Sequence, residues 1–356
     1  MLTACCVLLL VLLTKNTHIA ADGIQKGLAL VENVLLPTLF PLLVASELFI
    51  TSGILTKAPL FARPCRKLFG ISRAGSIALT LGWLFGVPIG ALIATADLEA
   101  GRIEKKEHLR LTCLTATPSM GFLVGVVGGG IFNSPQLGWM LYGSTLFSAS
   151  LLAGCWQLYQ KNTPDMEKTP PHVSKKTSIA EIFTVSVKNS MAAFLQIAAF
   201  VLVFSALGAY LSALTALSHL PSILKTVFSG LLELTTGVIT ASKLPSPTHA
   251  LLLIAFFAGF AGLSILLQVL AMTGRHAPPL RLLLCIKLLQ GLLTVLTVKI
   301  LLILCQPTVA FGKNALQTLA RPLQAPIAIG KWLFPLLLIY LFFHRVLTRP
   351  LVYFSK

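Results

Sequence analysis

Charge is what this chain has least of. Asp, Glu, Lys and Arg together supply 11% of its 356 residues, whereas soluble domains carry roughly a quarter. That scarcity excludes an ordinary water-exposed surface. Acidic residues are the rarer sign, with 11 Asp and Glu against 28 Lys and Arg. The seven cysteines contain no Cys-x-x-Cys spacing and fall mostly inside apolar runs, where cysteine behaves as a small hydrophobe. A disulfide framework and a zinc site are therefore not legible. The histidines are scattered, without a His-Glu-x-x-His pattern, and no metal is expected. No nucleophile–base pair, metal set or phosphate loop is present, so neither an enzyme nor a cofactor is expected. The net charge of +17 comes without a basic stripe of interleaved aromatics, which argues against nucleic acid as a partner.

What is present is apolar length. Hydrophobic residues make up 56% of the chain and mean hydropathy is +0.86. Apolar runs of about twenty residues, enough to cross a hydrocarbon core of roughly 30 Å, recur throughout. The expected fold class is an all-α polytopic membrane protein with about eight spanning helices. Residues 1–13 lack a basic flank and a further apolar run follows, so they read as an uncleaved first helix. The other spans are expected at 34–56, 111–132, 137–159, 182–216, 249–272, 282–304 and 332–347. Residues 21–32 are mildly amphipathic and suit the membrane interface.

Two further apolar segments are interrupted. Gly82-Trp-Leu-Phe-Gly-Val-Pro-Ile-Gly90 breaks the segment 75–96, and Glu233-Leu-Thr-Thr-Gly237 sits at the centre of 222–243. Non-helical backbone inside a membrane needs protein or a water-filled cavity for its hydrogen bonds. Matching breaks in two halves are the usual sequence pointer to a transporter site. If both segments are re-entrant hairpins, the loops 57–73, 97–110, 160–181 and 273–287 and the C-terminal tail share one side. Those loops hold most of the Lys and Arg, which assigns them to the cytoplasm. The result is an inverted repeat. The chain then divides into an N-terminal helix and interfacial helix (1–33), a first repeat (34–159), a polar cytoplasmic linker (160–181), a second repeat (182–305), and a C-terminal loop and last helix (306–356).

Candidate site residues follow from the breaks. Gly86, Pro88 and Gly90 permit an unwound turn, and the helix restarting after it offers N–H groups to an anion. Thr235, Thr236 and Gly237 offer the same from the other hairpin, with hydroxyls added. Glu47 and Glu233 are the acids deepest in apolar surroundings, where a carboxyl faces a cavity or a partner. They are candidates for coupling, and Glu233 also for substrate binding; the plainer reading is a glutamic acid bonded to backbone at a helix break. Thr117 and Ser119 flank Pro118 in another broken span. Ser264 and Gln268 are four apart and share a helix face. Gly121, Gly125 and Gly129 read as a packing ladder, and Gln196 and Gln290 as interhelical hydrogen-bonding groups. Asp97, Glu99, Glu104 and Glu107 read as a solvated loop face, and Trp332 and Tyr353 as interface anchors.

The order and spacing of Leu36–Pro41, Ser46–Leu48, Gly86–Ala91, Glu233–Gly237 and Gly259–Gln268 resemble the sporulation integral membrane protein YlbJ (SpoVV) family. That family is similar to proteins with the nucleoside-recognition Gate domain and, more distantly, to concentrative nucleoside transporters. The resemblance implies an endospore-forming bacterium and a place in the membrane around the developing spore. It further implies movement of dipicolinic acid out of the mother cell toward the spore. Val87 and Leu92 depart from the aromatic and the basic residue often found at those places, and the break at 115–118 lacks an asparagine. These departures bear on substrate more than on fold. Expected partners are the bilayer, a small anionic or polar molecule, and a second copy or a spore-membrane protein. The alternatives at this point are a non-transporting scaffold or accessory subunit, and a nucleoside-type transporter.

Overall fold

A computed structural model describes residues 17–51, 62–87, 89–160, 179–213, 220–307 and 309–311. The expected first helix at 1–13, the last span at 332–347 with its anchors Trp332 and Tyr353, Pro88 and most of the linker lie outside the described residues. Among the described residues all regular structure is helical. α1 (Thr17–Leu30) continues through a wide turn at Val31–Leu35 into α2 (Leu36–Thr51), followed by α3 (Ala62–Phe69). Then come α4 (Arg73–Phe85), α5 (Ile89–Glu99), α6 (Lys105–Thr115), α7 (Gly121–Ile131) and α8 (Pro135–Gln160). The rest comprises α9 (Ile179–Ala213), α10 (Ser222–Leu232), α11 (Leu234–Ala241), α12 (Pro247–Phe260), α13 (Leu263–Thr273) and α14 (Leu280–Cys305). The order helix, helix pair, broken helix, long helix occurs twice: α2, α4/α5, α6/α7, α8, and then α9, α10/α11, α12/α13, α14.

α14 shows what solvent this fold is built for. Lys287, Gln290, Thr294 and Val298 are buried, while Leu288, Leu292, Leu296 and Ile303 are exposed. Water would select the reverse; an apolar outside around a polar inside suits hydrocarbon. Three stretches among the described residues, Ala180–Ala213, Pro247–His276 and Leu280–Cys305, are long and apolar enough to cross a membrane, or four if the bent pair Thr17–Leu35 and Leu39–Ala45 is one span. The described residues thus form an all-helical fold suited to a membrane.

The expected span 111–132 is two helices. Pro118 has no N–H and disfavours helical backbone at Thr117, so α6 stops at Thr115 and α7 starts afresh at Gly121. α7 is wound one residue wider than an α-helix, as its last bond from Phe132 N to the Val127 carbonyl (3.2 Å) records. Such winding is rare and tends to accompany functional sites. The breaks have sharp causes. Ser72 caps α4 by accepting from Gly75 N at 3.1 Å, and Gly86 ends it at φ 78. Ala261 (φ 74) and Gly262 (φ 80) end α12 in left-handed backbone.

Helix packing brings the halves together. α9 lies along α1 and α2, and α14 lies against α12 and α8. One core combines Leu123 of α7, Leu141 of α8, Val238 of α11 and Phe257 of α12.

Candidate functional site

The two sets of broken backbone meet at the centre of the molecule. Val87, in the turn between α4 and α5, donates its N–H to the Thr117 carbonyl at 3.0 Å. Gly86 lies so close to Ser119 that a side chain there would strike the Ser119 backbone. In the second half Gly262 abuts Glu233 and Leu234, at the break between α10 and α11. Each hairpin tip is thus supported by the break of the following helix.

Between them lies a cavity of about 60 Å³ lined by Val87, Thr117, Pro118, Ser119, Phe122, Glu233, Thr235 and Gln268, with Leu35, Leu39, Ile197 and Val201 as an apolar wall. The volume suits a few water molecules. Of the residues singled out from the sequence, Thr117, Ser119, Glu233, Thr235 and Gln268 reach this cavity. Ser264 supports it from behind, its Oγ accepting from Gln268 Nε2 at 3.3 Å. Gly90 and Gly237 serve close approach: a side chain on Gly90 would meet Thr115, and one on Gly237 would meet Gly230. Glu47 stands apart, half-buried on α2, where it accepts from Asn189 Nδ2 at 3.4 Å.

Glu233 is 3% exposed and caps its own helix. Its Oε1 accepts from Thr235 N at 2.9 Å, and its Oε2 accepts from Thr236 N and Thr236 Oγ1, both at 2.6 Å. A helix N-terminus favours negative charge, and here a side chain of the same protein supplies it. The positive end of α11 is therefore occupied by an internal carboxylate rather than open to an incoming anion. The plainer reading of Glu233, a carboxyl bonded to backbone at a break, describes its geometry. Ser119 Oγ similarly accepts from Phe122 N at 3.2 Å, at the start of α7. Thr117 differs. Its hydroxyl is fully buried, lines the cavity and has no hydrogen-bond partner. A buried hydroxyl without a partner costs about 1–3 kcal/mol, so whatever fills the cavity, water included, is met by a hydrogen-bonding group on its wall.

Thr236 faces elsewhere. With Thr240, Lys225, Lys243, Asp22 and Lys26 it lines a second, wider cleft of about 820 Å³. α11 stands between the two spaces, with Thr235 on the small cavity and Thr236 on the cleft. Nothing in the spacing of α1 residues signalled that Asp22 and Lys26 would share this cleft, because their meeting with α10 is purely tertiary.

Two sequence expectations are overturned. Asp97 and Glu107 are not a solvated face: they are 6% and 3% exposed. Asp97 pairs with Arg102 at 2.7 Å, and Glu107 Oε1 accepts from Ser72 N at 2.7 Å. Burial pushes both carboxyls up from their ordinary values. Beside them His108 is buried between Thr95 and Thr112, and burial together with nearby His276 lowers it to about 4. Glu99 and Glu104 do remain exposed. The second correction concerns Lys287, counted with a basic loop: it lies within α14 and is fully buried. Gln290 does make the interhelical bond expected of it, donating to the Thr145 carbonyl of α8 at 3.3 Å.

Comparison with known proteins agrees with the residues that first suggested a relationship. The chain is 27% identical over 287 residues to the sporulation integral membrane protein YlbJ of Bacillus subtilis (strain 168), covering 70% of this chain and 69% of that protein. The chain is thus similar to YlbJ over most of its length. No family model and no solved structure matches the chain. YlbJ is, by its name, an integral membrane protein of sporulation.

Proposed function

We propose that this chain is a membrane transporter that moves a small anionic or polar metabolite during sporulation, with dipicolinic acid as the foremost substrate. In this reading it sits in the membrane around the forespore with its basic loops and C-terminus cytoplasmic, and it carries its cargo out of the mother cell. The single observation that carries the reading is the buried cavity bounded by both helix breaks, with Thr117, Ser119, Glu233, Thr235 and Gln268 on its lining. The two-fold element order supports an inverted repeat of about eight spans and two re-entrant hairpins, akin to Gate-domain proteins. In such repeats the site lies at the midplane and alternates between sides.

The cavity of about 60 Å³ is too small for an aromatic dicarboxylate, so the reading requires an occluded, empty state. A cargo carboxylate would compete with Glu233 for the Thr235 and Thr236 donors. Capture would then loosen the α11 cap and open α11 toward the cleft bearing Lys225 and Lys243. Ligand binding and hairpin opening become one event.

The small cavity also favours a second reading, a tightly packed scaffold without cargo. One experiment separates the two: dipicolinate accumulation in spores of a host lacking its own homologue, complemented with wild type or with Glu233→Gln. Restoration by wild type alone supports the transporter and its site. Restoration by both removes Glu233 from the mechanism. Restoration by neither, with the protein present in the membrane, favours the scaffold.

A further inference from the structure

Lys287 has no role in the site described above, yet among the described residues it is the cation most completely removed from solvent, at 0% exposure. It sits in the second turn of α14, a helix whose outward face is leucine and isoleucine. Its amine donates to Gln290 Oε1 at 2.7 Å, a neutral acceptor. Among the described residues no carboxylate forms an ion pair with it.

The helices packed on α14 explain why. α8 carries no charged residue, and its titratable side chains are Tyr142, Cys155 and Tyr159. α12 has only His249, exposed at its far end, and α13 has none. α6 presents Cys113, itself 0% exposed. The other α6 groups are engaged elsewhere or exposed: Glu107 on Ser72 N, Arg110 on Gln157 and the Gly70 carbonyl, His108 on Thr95, and Lys105 and Lys106 in solvent. On α14 itself Arg281 and Lys299 are exposed.

An ammonium enclosed this way lacks a counter-charge, which is costly in a membrane interior. The neutral amine needs one acceptor, and Gln290 provides it. Lysine, unlike arginine, changes protonation readily when buried. The position also matters. Through Gln290, whose Nε2 reaches the Thr145 carbonyl, Lys287 ties the last long helix of the second half to that of the first. A change of charge there acts on the seam that alternating access has to shear.

We propose that Lys287 is the proton-carrying side chain of the transport cycle. Resting on the transporter reading, it takes up one proton as anionic cargo enters, converting amine to ammonium, and releases that proton on the other side as the seam rearranges. The coupling ion is thus the proton, and the carrier is an amine rather than Glu47 or Glu233.

The test uses the purified full-length chain in lipid vesicles, with dipicolinate as cargo, a proton-sensitive dye inside, and the membrane potential clamped at zero. At one proton per anion, a gradient of about one pH unit supports about tenfold accumulation. Wild type is expected to reach it with matching proton uptake. Lys287→Met, nearly equal in length, and Lys287→Arg, permanently charged, should equilibrate dipicolinate without accumulating it. Gradient-driven accumulation by Lys287→Met at the wild-type level overturns the inference, as does wild-type transport without proton movement, even if neither variant folds. No dipicolinate movement by wild type removes the transporter reading itself, a separate outcome.

Discussion

The N–H of Val87 donates to the carbonyl of Thr117 across 3.0 Å, joining the break in the first hairpin to the break in the next helix. Each break leaves backbone groups that lipid cannot satisfy, and each solves the other's deficit. The contact requires Gly86 at φ 78 pressed on Ser119. Gly86→Ala is therefore expected to destabilise the protein by about 1–3 kcal/mol through left-handed strain and collision. Gly143→Ala, with nothing within 4 Å of the added methyl, should stay within about 0.5 kcal/mol of wild type. Thermal unfolding in detergent compares the two.

Thr117→Val should separate stability from activity. Replacing an orphan hydroxyl by a methyl of like shape leaves stability unchanged or raises it by up to about 1 kcal/mol. Dipicolinate transport should fall sharply if that hydroxyl meets the cargo. A variant that is both stable and fully active would remove Thr117 from the site.

Glu233→Gln and Thr236→Val weaken the α11 cap from opposite sides. Glutamine keeps one acceptor oxygen but turns an NH2 toward Thr236 N, so a loss of about 0.5–2 kcal/mol is expected. Both proteins should still insert in the membrane at normal abundance, and both should lose transport. Membrane fractionation alongside cargo accumulation reads both quantities.

His108 gives the buried cluster beside Asp97 and Glu107 a pH signature. Its folded value of about 4 lies below the ordinary 6.5, so the unfolded chain binds the extra proton first as pH falls. Stability owed to neutral His108 is complete above pH 6.5 and declines between 6.5 and about 4. Asp97 and Glu107, raised by burial, contribute in the opposite sense, but a variant retaining them cancels that term. Wild type should therefore lose stability relative to His108→Gln over that window, measured as the difference in Tm. Parallel pH curves would refute it.

Single cysteines at Asn133 and Lys105, both exposed, test the inverted repeat. An impermeant thiol reagent should label them from opposite sides of the membrane. Labelling of both from one side excludes the topology.

Much of the central cavity was legible in the chain because proline, glycine and hydroxyl residues inside apolar runs mark backbone that needs a partner. Thr117, Pro118 and Ser119 stand out for that reason, Glu233 as an acid inside an apolar segment and Gln268 for the helix face it shares with Ser264, and all but Ser264 line one cavity. Asp97 and Glu107 were misread because charges in a short polar stretch look solvated. Only the arrival of Ser72 N and Arg102 makes their burial tolerable.

The sequence by itself determined the solvent and two of the breaks: scarce charge and long apolar runs demand hydrocarbon, and the Gly86–Pro88 and Thr117–Pro118 stretches interrupt apolar segments. The break at Gly262, inside the expected span 249–272, emerges only in the fold. Tertiary structure alone decided which orphan groups find partners. Glu233 is turned back onto its own helix, Thr117 is left facing a cavity, and Lys287 is enclosed without an ion-pair partner among the described residues. Helix breaks are local consequences of backbone sterics, but the fate of a buried polar group depends on neighbours brought from distant parts of the chain.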